Sequence, residues 1–332
     1  MSEARVLVAG ASGFAGALAA SLVWRHPRLE LAAATARADV GTRLDRLYPR
    51  HRVPVELTEH DLDRVGEYEA AIVAYPHGAA AELVAGLLDA GLAVVDVSAD
   101  LRLSDQGVHE RTYGSHGAPQ LIGEAVYGLP ELHRDRVAGA RLVANPGCYP
   151  TAALLALAPL AEAGLTEDVV ISAASGASGA GRGGGDGLHF VTVDENFAPY
   201  AVGGHRHAPE IAQELSGLGV TAPVSFVPHL LPLDQGLMAS CYVRVTGSPE
   251  RGDLASLYED RYADEPFVEL ADEPPGVRDV RDTNLCRVHV SVDDAGRVLA
   301  FAAIDNLWKG AAGQAIQNLN LMLGLPEAEG LA

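Results

Sequence analysis

The chain has a single lysine, Lys309, and only three cysteines, Cys148, Cys241 and Cys286, in 332 residues. Three thiols at long spacings form neither a disulfide framework nor a zinc pattern, so no metal is expected, and a reducing, cytoplasmic setting is. Basic residues are outnumbered 24 to 44 by acidic ones, and a formal charge of −20 repels polyanions. With no local basic patch, nucleic acid is excluded as a partner. No apolar run reaches the roughly 18 residues that a membrane span requires. Met1 to Ala4 carry neither a basic region nor a cleavage site, so no export signal is expected. What remains is a globular composition, 48% hydrophobic and 20% charged, at a length that favours two domains.

Arg5 to Ala9 is a β-branched run stopped by Gly10, and Phe14 to Trp24 follows with helical spacing. Leu29–Thr35, Glu69–Tyr75 and Ala93–Val97 read as strands, and Ala79–Ala90 as a helix ended by Gly91. Alternating βα units imply a parallel sheet covered on both faces. From Ser98 to Ala140 the periodicity fades. Leu142–Ala144 then leads into Asn145-Pro146-Gly147-Cys148, where the domain boundary is placed. Beyond it, Cys148 to Ala163 is helical, and strand-like runs at 169–172, 224–227, 237–245, 287–292 and 297–304 suggest an antiparallel sheet. Ser175 to Gly187 is too rich in glycine for regular structure, so it is either a linker or a place where backbone approaches a ligand. Lys309 to Leu323 reads as an amphipathic helix returning to the first domain. The fold class is α/β: an N-terminal dinucleotide-binding domain over 1–147, completed by 309–332, with an α+β domain over 148–308.

Gly10-Ala11-Ser12-Gly13-Phe14-Ala15-Gly16 sits between the first strand and the first helix. Such a turn lets backbone amides and a helix N-terminus approach a pyrophosphate. Where an acidic residue would hold the ribose hydroxyl of NAD, the chain has Thr35-Ala36-Arg37, which favours NADP. Cys148 stands between a strand end and a helix start, where the dipole lowers a thiol's pKa and free amides can hold an oxyanion. It is the nucleophile candidate; Cys241 and Cys286 lie in apolar strands and read as small buried hydrophobes. Gly204-His205-Arg206-His207 offers proton partners. If extended, it points both imidazoles one way; if helical, they diverge. Arg102 and Arg182 are each either an anion clamp or an exposed salt-bridge arginine.

Seven segments, taken in order, resemble the N-acetyl-γ-glutamyl-phosphate reductase family. They are residues 10–16, Ser98-Ala99-Asp100-Leu101-Arg102-Leu103, Tyr127-Gly128-Leu129-Pro130-Glu131-Leu132, Pro146-Gly147-Cys148-Tyr149-Pro150-Thr151-Ala152, Ser175 to Arg182, Gly204 to Ile211, and Ile304-Asp305-Asn306-Leu307-Trp308-Lys309-Gly310. The resemblance implies a Rossmann domain joined to a semialdehyde-dehydrogenase-like domain in a homotetramer. It also implies NADPH-dependent reduction of N-acetylglutamyl 5-phosphate to the semialdehyde, a step of arginine biosynthesis. By the same resemblance Cys148 is the nucleophile and His207 the acid/base. His205, Arg102 and Arg182 lie near the small-molecule substrate. Gly10, Ser12, Gly13, Phe14, Gly16, Thr35, Arg37, Pro76, His77, Gly78, Ser178, Gly179 and Asn306 lie near NADP(H). The chain departs from the pattern at Phe14, where tyrosine is frequent, at Ala208, where threonine is, and at Gly183-Gly184-Gly185. The alternative is a reductase of carrier-protein-linked aminoadipyl or glutamyl phosphate. Its acidic carrier suits a basic surface, which this chain lacks. Aspartate-semialdehyde dehydrogenase fits the chemistry but not the segments around His205 and Trp308. A silent NADP sensor would have no use for Cys148 or His207.

Overall fold

A computed structural model describes residues 3–247 and 249–331. It divides into two compact units, Met1–Gly147 with Ala311–Ala332, and Cys148–Gly310.

In the first unit the elements run β1 (Ala4–Ala9), α1 (Phe14–Arg25), β2 (Leu29–Thr35), α2 (Leu44–Leu47), β3 (Ala70–Val73), α3 (Ala81–Asp89), β4 (Ala93–Asp96), α4 (Gln106–Tyr113), β5 (Val126–Tyr127), α5 (Pro130–Val137) and β6 (Leu142–Ala144). All strand pairs are parallel, in the order β2-β1-β3-β4-β6-β5. Val6 to Ala9 and Ala70 to Val73 are buried without alternation, as expected of strands covered on both faces. Leu7, Ala9, Val73, Val84, Leu87 and Val94 form the core on one of those faces. Two helices that periodicity misses occupy the segment from 98 to 140. α4 starts at Asp105, whose carboxylate accepts the Val108 N–H at 2.7 Å, and α5 starts on Pro130, whose fixed φ suits a first helical position.

The second unit contains α6 (Cys148–Glu162), β7 (Thr166–Gly176), α7 (Phe190–Val193), β8 (Ala198–Pro199), α8 (Ala208–Gly217), β9 (Val224–Leu231), β10 (Leu237–Val245), α9 (Arg251–Tyr262), β11 (Val268–Leu270), β12 (Cys286–Val292) and β13 (Val298–Ile304). The sheet order is β11-β12-β13-β10-β7-β9-β8. It is mixed rather than antiparallel throughout: β7–β9 and β11–β12 are parallel pairs, because α8 and the 271–285 segment carry the chain back between them. Along β10 burial alternates and leaves one face covered, chiefly by α6, which packs on β10, β12 and β13. α6 is buried almost throughout, although Pro159 removes an amide from its interior. Leu155 O, left without that amide four residues on, accepts the Tyr262 hydroxyl at 2.5 Å, and Ala156 O accepts the Tyr258 hydroxyl at 2.6 Å. α9 thereby repairs the helix that starts at Cys148. β7 runs to Gly176, further than its apolar run indicates, because it stays paired with β9 up to that residue, where a Cβ would lie 2.6 Å from Asp234 O and only glycine fits.

The C-terminal segment opens with a π-helix, Trp308–Ala312, and continues as α10 (Gly313–Met322). α10 packs on α1, α5 and β4 in the first unit. It is buried almost throughout, polar residues included, so the amphipathic expectation fails there: Gln317, Asn318 and Asn320 bond internally instead of facing water, and the Gln314 carboxamide has no hydrogen-bond partner. Among the described residues no helix is long and apolar enough to cross a membrane, and no His, Cys, Asp and Glu cluster could hold a metal ion.

Candidate active site

In the first unit the glycine turn is built by close approach. A Cβ on Gly16 would run into the carbonyl of Gly10, and one on Gly10 (φ +88°) into the backbone of Ala74 after β3. Gly13 differs, because a Cβ there would meet nothing nearer than Gly10 O at 3.6 Å. Its bareness leaves the N-terminus of α1, which no side chain caps, open to an anion. Gly10 and Ala11 donate to Thr35 O at 2.9 and 3.0 Å, tying the turn to the end of β2, and Ser12 O accepts the Tyr48 hydroxyl at 2.8 Å. Phe14 packs edge-on against that Tyr48 ring. Thr35 is buried, and its hydroxyl has no hydrogen-bond partner. Arg37 is exposed, with its guanidinium 4.8 Å from the Tyr75 ring centroid and Nη2 donating to Ala79 O. An uncapped helix start behind a glycine turn and an idle buried hydroxyl suit a dinucleotide's phosphates and ribose.

Pro76, His77 and Gly78 follow β3. Asp100 anchors this turn: its carboxylate accepts the Gly78 N–H at 2.6 Å and those of Ala80 and Ala81 at 3.2 Å, capping α3. The His77 ring lies against Tyr113. Arg102 is neither an exposed salt bridge nor solvent-facing. It is 9% exposed and donates to two backbone carbonyls, Asn145 O at 2.8 Å and Val97 O at 2.9 Å, holding the ends of β4 and β6. Near it, burial pushes the Asp96 carboxyl up to about 6, against bonds from the Ser98 hydroxyl and amide.

In the second unit Cys148 is the first residue of α6, partly exposed and free of any disulfide. A Cβ on Gly310 would sit 2.7 Å from Cys148 Cβ, so only glycine fits beside the thiol's stem. Tyr149, the next residue, is buried and gathers both imidazoles: ring centroids lie 5.6 Å from His205 and 5.9 Å from His207, which are 4.8 Å apart. The segment is neither strand nor helix at this point. It is a turn ending on His207 as the N-cap of α8, and its rings converge. Phe226 and Tyr200 complete the aromatic cage, with the Tyr200 hydroxyl 3.2 Å from that of Tyr149. Burial, helped by Arg206, brings His205 down to about 4, so it is neutral at neutral pH. Its Nδ1 accepts the His207 N–H at 3.1 Å, which leaves the ring proton on Nε2 as a donor. Sequence reasoning gave no role to Tyr149, Tyr200 or Gly310; the first and last stand beside Cys148 and inside the Trp308 segment, but Tyr200 carries no local signal.

Asn306 is 2% exposed. Its Oδ1 accepts the Gly236 N–H at 2.8 Å and its Nδ2 donates to Ser178 Oγ at 3.0 Å, while Ser178 Oγ donates to Asp234 O. Gly179 lies against the Ser175 hydroxyl and Asn306. This network fixes the base of the glycine loop. Arg182 lies further along it and is exposed.

Residues 5–140 match the family described as semialdehyde dehydrogenase, NAD binding domain, and residues 148–306 the semialdehyde dehydrogenase, dimerisation domain. N-acetyl-gamma-glutamyl-phosphate reductases from Alkalilimnicola ehrlichii and Halorhodospira halophila are each 47% identical over 98% of this chain and 96% of their own length. One from Dehalococcoides mccartyi is 44% identical over 100% of the chain and 98% of its own. Among solved structures, aspartate semialdehyde dehydrogenase II from Vibrio cholerae has the same fold, with a TM-score of 0.75 at 19% identity over 98% of this chain and 99% of that one. Nearly full-length identity to the curated reductases, well above that to the dehydrogenase, settles the grouping: the chain belongs to the N-acetyl-γ-glutamyl-phosphate reductase family and is an oxidoreductase with a Rossmann-like NAD-binding domain.

Proposed function

We propose that this chain reduces N-acetyl-L-glutamyl 5-phosphate to N-acetyl-L-glutamate 5-semialdehyde with NADPH, through a thioester on Cys148, as a step of arginine biosynthesis. The observation that carries the reading is the thiol at the amino end of α6, followed directly by a tyrosine against which both imidazoles pack. The Cys148 thiolate attacks the acyl carbonyl, the carbon–oxygen bond to phosphate breaks, and inorganic phosphate leaves. Amides in the first turn of α6 hold the oxyanion. NADPH, when bound, supplies the hydride that converts the thioester to a hemithioacetal, a far easier reduction than that of a carboxylate. His207 first takes the thiol proton, gives it to the oxygen that hydride addition leaves negative, so forming the hemithioacetal, and takes it back as the thiolate is expelled and the aldehyde released. Neutral His205, with its proton on Nε2, donates to a substrate oxygen, and Arg102 and Arg182 attract the carboxylate and phosphate.

The turn of Gly10, Ser12, Gly13, Phe14 and Gly16 would hold the pyrophosphate. Thr35 and Arg37 would hold the 2′-phosphorylated ribose, and the turn at Pro76, His77 and Gly78, with Ser178, Gly179 and Asn306, would line the remainder. A 2′-phosphate suits Arg37, since no carboxylate stands at the end of β2 to repel it. The second unit would form the oligomer, and a catalytic thiol would suit a reducing cytoplasm.

The test follows NADP reduction driven by N-acetylglutamate semialdehyde plus phosphate, beside aspartate semialdehyde. Cys148→Ser is expected to abolish turnover while NADPH binding persists. Retained turnover, or a preference for aspartate semialdehyde, would overturn the reading.

A further inference from the structure

Just past β13, in the second unit, lies a carboxylate withdrawn from water. Asp305 has zero exposure, and N–H groups from three segments of the chain converge on it. Its Oδ1 accepts the Leu307 and Trp308 amides at 2.8 and 3.1 Å, and its Oδ2 accepts the Asp282 amide at 2.9 Å and Gln235 Nε2 at 3.1 Å. A carboxylate at this depth is costly unless its lone pairs are used, and here each oxygen accepts twice. The group is therefore a junction. It ties the residues leading into β10, the turn at Asp282 and the segment after β13 to one another.

The same residue holds Gly310 through its backbone. Asp305 O accepts the Gly310 N–H at 3.0 Å, a five-residue closure of the π type. Gly310 stands directly against the thiol-bearing residue: a Cβ on it would lie 2.7 Å from Cys148 Cβ and 3.3 Å from Cys148 Cα. Residues 307 to 310 are thus gripped by the Asp305 carboxylate at one end and by its carbonyl at the other. The wall they present to Cys148 moves only if those bonds give. An asparagine of the same shape cannot make the junction, because whichever way its amide turned, an NH2 group would face two N–H donors.

We infer that Asp305 is a positioning residue for Cys148: by holding residues 307 to 310 it seats the Gly310 backbone against the thiol's stem, and so sets where the sulfur stands at the start of α6. This rests on Cys148 being the nucleophile of the proposed function.

The test compares Asp305→Asn with Val298→Ala, which leaves a cavity at the far end of β13 and lowers the melting temperature without touching the junction. In Asp305→Asn, kcat is expected to fall roughly 10- to 100-fold, on the scale of a misplaced reacting group, with KM little changed. Alkylation of Cys148 by iodoacetamide, read by mass spectrometry across pH, is expected to move to higher pH as the sulfur leaves the amides of the first turn of α6. Val298→Ala is expected to keep the native alkylation profile and kcat well below its melting temperature. Gln235→Leu removes a single donor to the carboxylate and should move both readouts the same way by less, which keeps the junction testable should Asp305→Asn fail to fold. Native kcat and alkylation in the junction variant that folds would overturn the inference, as would equal changes in Val298→Ala. Alkylation needs no substrate, so this outcome is separable from failure of the proposed function, which Cys148→Ser reads.

Discussion

Gly310→Ala probes the backbone that lies beside the thiol's stem. Its Cβ would stand 2.7 Å from Cys148 Cβ, 3.3 Å from Cys148 Cα and 3.4 Å from Asp305 O. Carbon atoms rest about 3.5–4.0 Å apart, so roughly 1 Å of displacement is forced. The obstructing atoms are the stem and backbone of Cys148, which cannot swing away as a long side chain does. Gly310 is not free to retreat either. Its N–H donates to Asp305 O at 3.0 Å in the π-helix, and the Asp305 carboxylate is itself anchored by the amides of Asp282, Leu307 and Trp308. The strain should cost about 1–3 kcal/mol of stability, as overpacking does. A shift of about 1 Å in a reacting group costs on the order of a hundredfold in rate. The assay is the phosphate-dependent oxidation of the semialdehyde, with NADPH affinity and melting temperature measured in parallel. The expected result is a fall of about two orders of magnitude in kcat with NADPH affinity little changed, because the turn at residues 10–16, proposed to hold the pyrophosphate, is untouched. A variant with undiminished kcat and a native melting temperature would refute the reasoning that the thiol's place depends on a bare backbone beside it.

Arg37→Glu should lower kcat/KM for NADPH about 10- to 100-fold while sparing NADH, the loss of one charge-assisted bond; equal losses with both cofactors would remove Arg37 from the phosphate site. Amine-reactive reagents should label Lys309 only after denaturation, because its side chain is fully buried with Nζ 5.5 Å from the Phe267 ring centroid; mass spectrometry of the native protein finding it modified at once would contradict that burial. His205, held down to about 4, binds fewer protons folded than unfolded between about pH 4 and 6.5, so its contribution is present above 6.5 and lost as pH falls to 4. Discounted for partial exposure it is worth about 1–2 kcal/mol, and His205→Gln should flatten urea midpoints over that window. Asp96, raised to about 6, works oppositely: its contribution is present below about pH 4 and lost as pH rises to 6, so Asp96→Asn should remove a slope of the other sign.

The first unit was legible because a parallel sheet covered on both faces writes itself as uninterrupted apolar runs, and its glycine turn has a fixed place between β1 and α1. α4, α5 and α9 were not legible by periodicity. They are short or polar on most sides and are specified at their ends, by Asp105, Pro130 and the Glu250–Asp253 capping box. Local pattern also could not reveal the mixed sheet of the second unit, because strand direction there is decided by which connections cross over. α10 misled for a related reason. Its asparagines and glutamines mark a polar stripe, and only the fold shows that the stripe bonds Gly128, Glu131, Asn145 and the Glu327–Glu329 segment rather than water.

The site repeats this division between what a residue type announces and what its surroundings decide. A cysteine at a helix start and a histidine pair announce their chemistry by type, and coordinates add only that Tyr149 gathers them. Arg102 and Asn306 announce ligand contacts equally well, and each also bonds the chain itself, Arg102 at the ends of β4 and β6 and Asn306 at Gly236 and Ser178. Residues in the same motifs can thus act on the reaction at one remove, by fixing the backbone from which a reacting atom projects. Substitutions can tell the two roles apart. Loss of a group that touches substrate should raise KM or abolish chemistry, whereas loss of one that holds the backbone should change kcat and the reactivity of Cys148 together, including toward a reagent that resembles no substrate.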